Sequence, residues 1–246
     1  MRFLFLLALF FLERPAAAQA PAYPVAPDFW QQQLAYTRVQ AAYARCWPVL
    51  VARLQAQGLD PARLEVFFRL LKTSRTLEVW ARNQGEAAFR PLPGYPLPGY
   101  PLAATSGTLG PKRYAGDEQV PEGFYSINRF NPLSAFHLSL GLDYPTPADV
   151  LATGPADPGG DIFIHGSNVT VGRLPLTDAG IEEVYLLAVA ARAAGQASIA
   201  VHIFPFPLTE SELTRRADSP HAAFWRTLVP GYAYFEQHRT PETAQP

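Results

Sequence analysis

Residues 161–178 read DIFIHGSNVTVGRLPLTD. The apolar triplet Ile162-Phe163-Ile164 predicts a buried strand that stops at His165-Gly166. Ser167-Asn168 marks a tight turn, and Val169-Thr170-Val171 predicts a resumed strand running up to Gly172 and Arg173. A strand ending in an imidazole, followed by a glycine-flanked corner ahead of a helix, is a way to set a base beside a reactive group. The corner of this chain holds an arginine.

Beyond the corner, Asp178 is expected to cap a helix, with Ile181, Val184, Tyr185 and Ala188 on one apolar stripe and Gly195 as its stop. Glu182 and Glu183 fall near that helix start, where the positive end of the helix accounts for them. A strand at 199–206, IAVHIFPF, places His202 in an apolar run and predicts a satisfied core histidine. The segment HAAFWRTLVPGYAYFEQHR predicts a C-terminal helix interrupted at Pro230-Gly231, with His221 and His238 at the surface and the last half-dozen residues frayed.

Upstream, LEVFFRLL (64–71) and TLEVWAR (76–82) flank Lys72-Thr73-Ser74-Arg75, the pattern of a hairpin. PLPGYPLPGYPLA (91–103) repeats five residues twice and predicts an extended surface loop carrying Tyr95 and Tyr100. The segment Phe124–Ile127 predicts a strand. FHLSLGLDYP (136–145) alternates Phe136, Leu138, Leu140 and Leu142 with His137, Ser139 and Gly141, which puts His137 on the polar face of a half-buried strand. Residues 28–58 predict a helix opened by Asp28, broken or restarted at Pro48, and stopped at Gly58.

Length, charge and cysteine content narrow the classes. A chain of 246 residues, 48% hydrophobic, can bury a sizeable core, and 25 prolines favour loops and strands over a helical bundle. A formal charge of -1 gives no basic footprint for nucleic acid and no polybasic membrane patch. No phosphate-cradling loop is present, and the separated histidines lack zinc-site spacing, so no metal or cofactor is expected. Arg2, the apolar run Phe3–Leu12 and Ala16-Ala17-Ala18 predict a signal peptide over 1–18, which implies export to the periplasm or cell envelope with no span left after cleavage. Residues 19–27 then form a Pro/Ala-rich lead-in. Cys46 is the sole cysteine, excludes an internal disulfide, and is expected to be a buried small hydrophobe.

The ordered segments GPKRYAGDEQVPEGFYSIN, FHLSLGLDYP, IHGSNVTVGRLPLTDAGIEEVYLLA and VHIFPFPLT resemble the murein L,D-transpeptidase family, YkuD type, in the branch with a short gap between histidine and cysteine. The resemblance spans 62–208. It implies a mainly β, partly closed sheet with packed helices (α+β), and the helical patterns on either side predict a helical appendage at 19–61 and a helical extension at 209–246. It implies exported enzymes that act by cysteine acyl transfer on diaminopimelate-containing peptide bonds of peptidoglycan.

Carried onto this sequence, the family pattern makes His165 the base, with Gly166 and Gly172 framing the corner and Thr170 matching its hydroxyl position. His137, Gly166 and Thr170 would line the substrate pocket, and the amides near Gly172 and Arg173 would form the oxyanion hole. Arg173 takes the position of the nucleophilic cysteine. A guanidinium carries only donors and stays protonated, so it cannot attack a carbonyl. Three readings stay open: a stem-peptide binder anchored by Arg173, a broken copy of the enzyme, and an enzyme with a relocated nucleophile such as Ser167 or Thr170.

Overall fold

The computed structural model describes residues 28–94 and 99–241. The expected signal peptide and lead-in (1–27), Tyr95 with the middle of the proline repeat, and the last five residues lie outside the described residues. Helices α1 (Phe29–Leu34) and α2 (Thr37–Ala56) lead into a short 3-10 turn at Pro61–Arg63. There follow β1 (Leu64–Leu71), β2 (Thr76–Asn83), β3 (Arg90–Leu92), β4 (Tyr100–Pro101), β5 (Gly123–Asn131), β6 (Ser139–Leu142) and α3 (Pro147–Thr153). The chain then forms β7 (Phe163–His165), β8 (Leu174–Pro175), α4 (Asp178–Ala193), β9 (Ala200–Phe204), α5 (Glu210–Arg215) and α6 (Ala222–His238).

The strands make one mixed sheet in the order β3-β2-β1-β9-β5-β6-β7-β8, with β4 also on β2, curled into a half-barrel. The α+β class expected from the sequence is the class observed. The hairpin is in place too, with Leu64 opposite Asn83 and Leu71 opposite Thr76. The parallel pairing of β1 with β9 puts β1 inside the sheet and explains why LEVFFRLL is apolar almost throughout. Its Val66, Phe68 and Leu70 belong to the core under α4, whereas Phe67 meets Phe235 of α6. Helices therefore cover both faces of this half of the sheet.

Several local expectations are corrected. α4 is buried on nearly all sides, not along one stripe, because α1 and α2 lie on the face turned away from the sheet. Its N-cap is Thr177, whose Oγ1 accepts from the Gly180 amide at 3.1 Å, and Asp178 is the first helical residue. Gly195, at φ +107°, follows the helix end as expected. Asp28 stands at the N-cap as expected, though its side chain accepts from Gln32 Nε2 and not from a backbone amide, and the helix expected there is two helices parted at Tyr36, an extended residue. Pro48 and Pro230 break neither α2 nor α6: both sit on the solvent side, where the carbonyl freed four residues earlier reaches water.

The 136–145 segment departs furthest from its expected alternation. Only Ser139–Leu142 is strand, and all four residues are buried, because β6 lies between β5 and β7 with α4 against it. Phe136 and His137 lie in the preceding loop, and His137 turns the chain at φ +69°. The resumed strand at Val169–Val171 is absent as well. Both valines are 57% exposed, and strand geometry returns only at Leu174, which pairs in parallel with Ile164.

Candidate functional site

β7 delivers His165 at the end of a buried strand, directly opposite Ser139 of β6. The ring is 1% exposed. Its Nδ1 lies 2.6 Å from the Gly166 carbonyl oxygen, which can only accept, so Nδ1 carries the proton and Nε2 presents a lone pair. Nε2 has no hydrogen-bond partner. Burial lowers the imidazole pKa, the Gly166 carbonyl opposes this, and the Arg173 charge adds to the lowering. His165 is thus a neutral acceptor.

Gly166 is glycine for lack of room. An added Cβ would sit 2.6 Å from Asp178 Oδ1 and 2.8 Å from the Phe136 carbonyl oxygen. Its amide is shared between the Phe136 and Leu138 carbonyls at 3.0 and 3.1 Å. Ser167 follows at φ +71°, and its amide donates to Asp178 Oδ1 at 2.7 Å, so the first residue of α4 closes the turn. Thr170 bends the loop back: Oγ1 accepts from the Arg173 amide at 3.2 Å and donates to the Arg173 carbonyl at 3.0 Å. Gly172, at φ +69°, donates its amide to Ser106 Oγ at 2.6 Å. Both amides expected to hold an oxyanion are therefore engaged within the protein.

Arg173 lies between two clefts and lines both. One, about 280 Å³, has His165, Ser139, Phe136, Arg129 and Asp161 in its walls. The other, about 220 Å³, is lined by Gly116, Gly159, Gly160, Gly172 and Lys112 among others. Arg173 Nε donates to the Asp161 carbonyl at 2.9 Å. Arg129 pairs with the Asp161 carboxylate at 3.2 Å and stacks over Phe163.

His137, expected in the pocket, lines neither cleft. Its Nε2 lies 2.6 Å from Glu182 Oε1. Glu182 also receives Arg45 and, at 3.5 Å, the Cys46 thiol. Burial would raise this carboxyl, but hydrogen bonds from Arg45 and His137 outweigh it and hold the pKa below the ordinary value. The expectation that the helix dipole alone accounts for Glu182 and Glu183 is thus corrected. Glu183 binds Arg53 and the Tyr100 hydroxyl, and the two carboxylates fasten α2 to α4. Arg38 of α2 donates to the Ser134 carbonyl at 2.6 Å and also to that of His137, holding the loop that brings Phe136 to 4.8 Å from the His165 ring.

Cys46 is half-buried, not a core residue, and lies on α2 away from both clefts. Burial first, then Glu182, push its thiol up to about 11. Among the described residues, no group of three or more His, Cys, Asp or Glu side chains is placed to hold a metal ion.

No protein-family model matches the chain. Two curated relatives do, both named YafK and described as candidate L,D-transpeptidases, from Escherichia coli K12 and O157:H7. Each is 35% identical over 180 residues, covering 72% of this chain and 69% of the relative. The chain belongs to the L,D-transpeptidase family. Among solved structures, the helical cell shape determining protein Pgp2 of Campylobacter jejuni aligns with 20% identity and a TM-score of 0.43, over 68% of this chain and 57% of that one. Bd1075 of Bdellovibrio bacteriovorus aligns with 16% identity and a TM-score of 0.39 over 68% and 56%. The chain thus spans less than two thirds of either solved structure.

For a member of this family, the cleft joins some of the expected residues and separates others. His165 and Arg173 share it, Gly166, Thr170 and Gly172 shape its backbone, and His137 stands behind its wall. Sequence reading missed Ser139, Asp161, Arg129 and Ser106. Ser139 was readable only through the pairing register, and Arg129 and Asp161 carry no local signal at all.

Proposed function

We propose that this L,D-transpeptidase-family protein binds peptidoglycan stem peptides, with Arg173 anchoring a stem-peptide carboxylate where the family pattern has its nucleophilic cysteine. One observation carries the reading: the cleft holding His165 is lined by an arginine and by no thiol. Arginine matches a carboxylate with two parallel hydrogen bonds, and stem peptides carry carboxylates at diaminopimelate and at terminal D-alanine. Thioester chemistry needs a thiolate at this position. Cys46 cannot supply one, because it lines neither cleft and meets Glu182, with its thiol proton held more tightly than usual.

The relocated nucleophiles fare no better. Thr170 Oγ1 is committed to the Arg173 backbone, and Ser167 lines neither cleft. The signal-peptide pattern over 1–18 supports export to the periplasm or cell envelope, where stem peptides are available. Among the described residues no helix is long and apolar enough to cross a membrane.

The test is mass spectrometry of muropeptides after incubating sacculi with the protein and with Arg173→Cys, alongside calorimetric titration of stem peptides. Binding by the natural protein without any change in muropeptides is expected. Cleavage or cross-linking by the natural protein would overturn the reading.

A further inference from the structure

With His165 neutral, the charged side chains lining the larger cleft are Arg129, Asp161 and Arg173, and the aspartate contacts both arginines. Its backbone carbonyl accepts from Arg173 Nε at 2.9 Å, and its carboxylate accepts from Arg129 at 3.2 Å. Two cations thus share one acid. Irregular backbone on both sides makes the meeting possible. Asp161 has φ +53°, in the left-handed region, two residues after Gly159 at φ +76°. β5 shifts its register between Ile127 and Arg129, and a bulge of this kind re-aims the side chain it carries.

An ion pair whose side chains are 53% and 67% exposed contributes little stability, so its weight lies in the charge it presents to a ligand. We propose that Asp161 is a specificity-determining residue that sets how much negative charge the cleft accepts. With its carboxylate on Arg129, only Arg173 is left for an anion. A group bearing two adjacent negative charges meets Asp161 as a repelling neighbour. The cleft therefore takes a carboxylate that stands alone and discriminates against paired acids, such as succinate-type dicarboxylates and phosphate monoesters. The inference rests on Arg173 as an anion anchor and goes beyond it by fixing the charge of the group bound.

The surrounding charges leave this arrangement in control. Lys112, in the wall of the second cleft, is paired with Asp117 at 2.6 Å, and Glu118 lines that second cleft and not the one holding His165. Arg129 is further held over the Phe163 ring, 4.9 Å from its centroid, which keeps its guanidinium beside Asp161. Asp161 is thus the acid that a ligand meets next to Arg173.

Calorimetric titration of the full chain compares two nearly isosteric probes: N-acetyl-D-alanyl-D-asparagine, with one carboxylate, and N-acetyl-D-alanyl-D-aspartate, with two. Asp161→Asn is the informative variant. Asparagine tolerates left-handed geometry and keeps the carbonyl that holds Arg173, so only the charge is lost.

The natural protein should bind the asparagine ending at least as tightly as the aspartate ending. Asp161→Asn should reverse this and bind the aspartate ending roughly three- to tenfold more tightly, the effect of one charge near a protein surface at low salt. That preference should fade at about 1 M salt, where screening acts beyond about 3 Å, and should vanish when Arg129→Gln is added. A merely structural part for Asp161 would show neither dependence. A preference for the aspartate ending already present in the natural protein, or none gained in a folded Asp161→Asn, overturns the inference while the anchor stands. The anchor fails separately: if the natural protein binds neither ending, or Arg173→Ala binds the asparagine ending as the natural protein does, the stem-peptide reading falls and takes this inference with it.

Discussion

Two histidines in this protein are almost equally buried and each leaves one ring nitrogen bare, yet they belong to different kinds of place. His202, 2% exposed, lies in the β1–β9–β5 half of the sheet with its ring against Phe67, Phe124 and Phe204. His165 lies at the end of the short strands β6–β8, in the wall of a cleft that an arginine also lines, with its bare nitrogen buried. Burial with a missing hydrogen bond is therefore no mark of a site. What distinguishes His165 is the cleft it lines, a tautomer fixed by the Gly166 carbonyl, and an arginine with no carboxylate partner among the described residues.

Beside His202 a buried charge is fully partnered. Next to Phe124, the Glu122 carboxylate accepts from Lys72 Nζ at 2.9 Å, the Gly110 amide at 2.8 Å and Trp225 Nε1 at 2.8 Å. Removing it leaves a buried ammonium without its counter-charge, held only by the Gly110 and Val120 carbonyls, and two donors without a partner. Glu122→Ala should therefore cost about 3–5 kcal/mol, the largest effect expected of the changes considered for either region. Urea denaturation measures it, and a loss under about 1 kcal/mol would show that this half relaxes as freely as a surface.

The cleft end should answer in the opposite currency. Arg173→Ala removes no partnered charge, so the unfolding midpoint should stay within error. Stem-peptide affinity should fall about ten- to a hundredfold, the worth of a charge-assisted bidentate contact of roughly 1.5–3 kcal/mol. A variant that loses stability but keeps its affinity would reverse the assignment of the two regions.

His202→Phe sharpens the contrast from the other side. Burial, and to a lesser degree the Arg69 charge, hold the folded-state pKa of His202 down to about 3, against an ordinary 6.5. Between those values the unfolded chain binds a proton that the folded chain does not. Stability therefore falls as pH drops through that window, by up to about 1.4 kcal/mol per pH unit. Phenylalanine removes the share of the slope due to His202 and the unpaired nitrogen, so at neutral pH it should stabilise by about 1 kcal/mol, or roughly 2–4 °C in Tm. Thermal unfolding from pH 4 to 7 checks both, and an unchanged slope would place the acid sensitivity elsewhere.

The contrast also explains what could be read from the sequence. The half of the sheet around His202 was legible because its signals are local. LEVFFRLL and TLEVWAR announce a hairpin by composition, and His202 reads as core from its apolar neighbours. At the cleft, His165, Gly166 and Gly172 could be read because they lie within one short stretch and match a family pattern. Ser139 and Arg129 could not: β6 and β5 bring them to His165 through register, which depends on a bulge between Ile127 and Arg129. His137 was misplaced because alternation assumes an extended chain, whereas its positive φ turns the side chain toward Glu182. The glutamates of α4 looked like dipole partners because the arginines that bind them come from a helix more than a hundred residues earlier.

The smallest effect belongs to Cys46, and it decides whether the only thiol has any claim on the chemistry. A catalytic thiol is held as thiolate by nearby cations. Cys46 meets a carboxylate instead, and with its pKa up at about 11 the thiolate fraction at pH 8 is about a hundredfold below that of an ordinary cysteine. Iodoacetamide should alkylate it correspondingly slowly in the folded protein and at the ordinary rate in urea. Cys46→Ala removes one weak thiol donor from a carboxylate that keeps Arg45 and His137, so it should change stability by less than about 1 kcal/mol and stem-peptide affinity not at all. Fast alkylation at pH 8 together with lost binding in Cys46→Ala would bring the thiol back toward the site and would mean that α2 leaves its place on Glu182 when a ligand arrives.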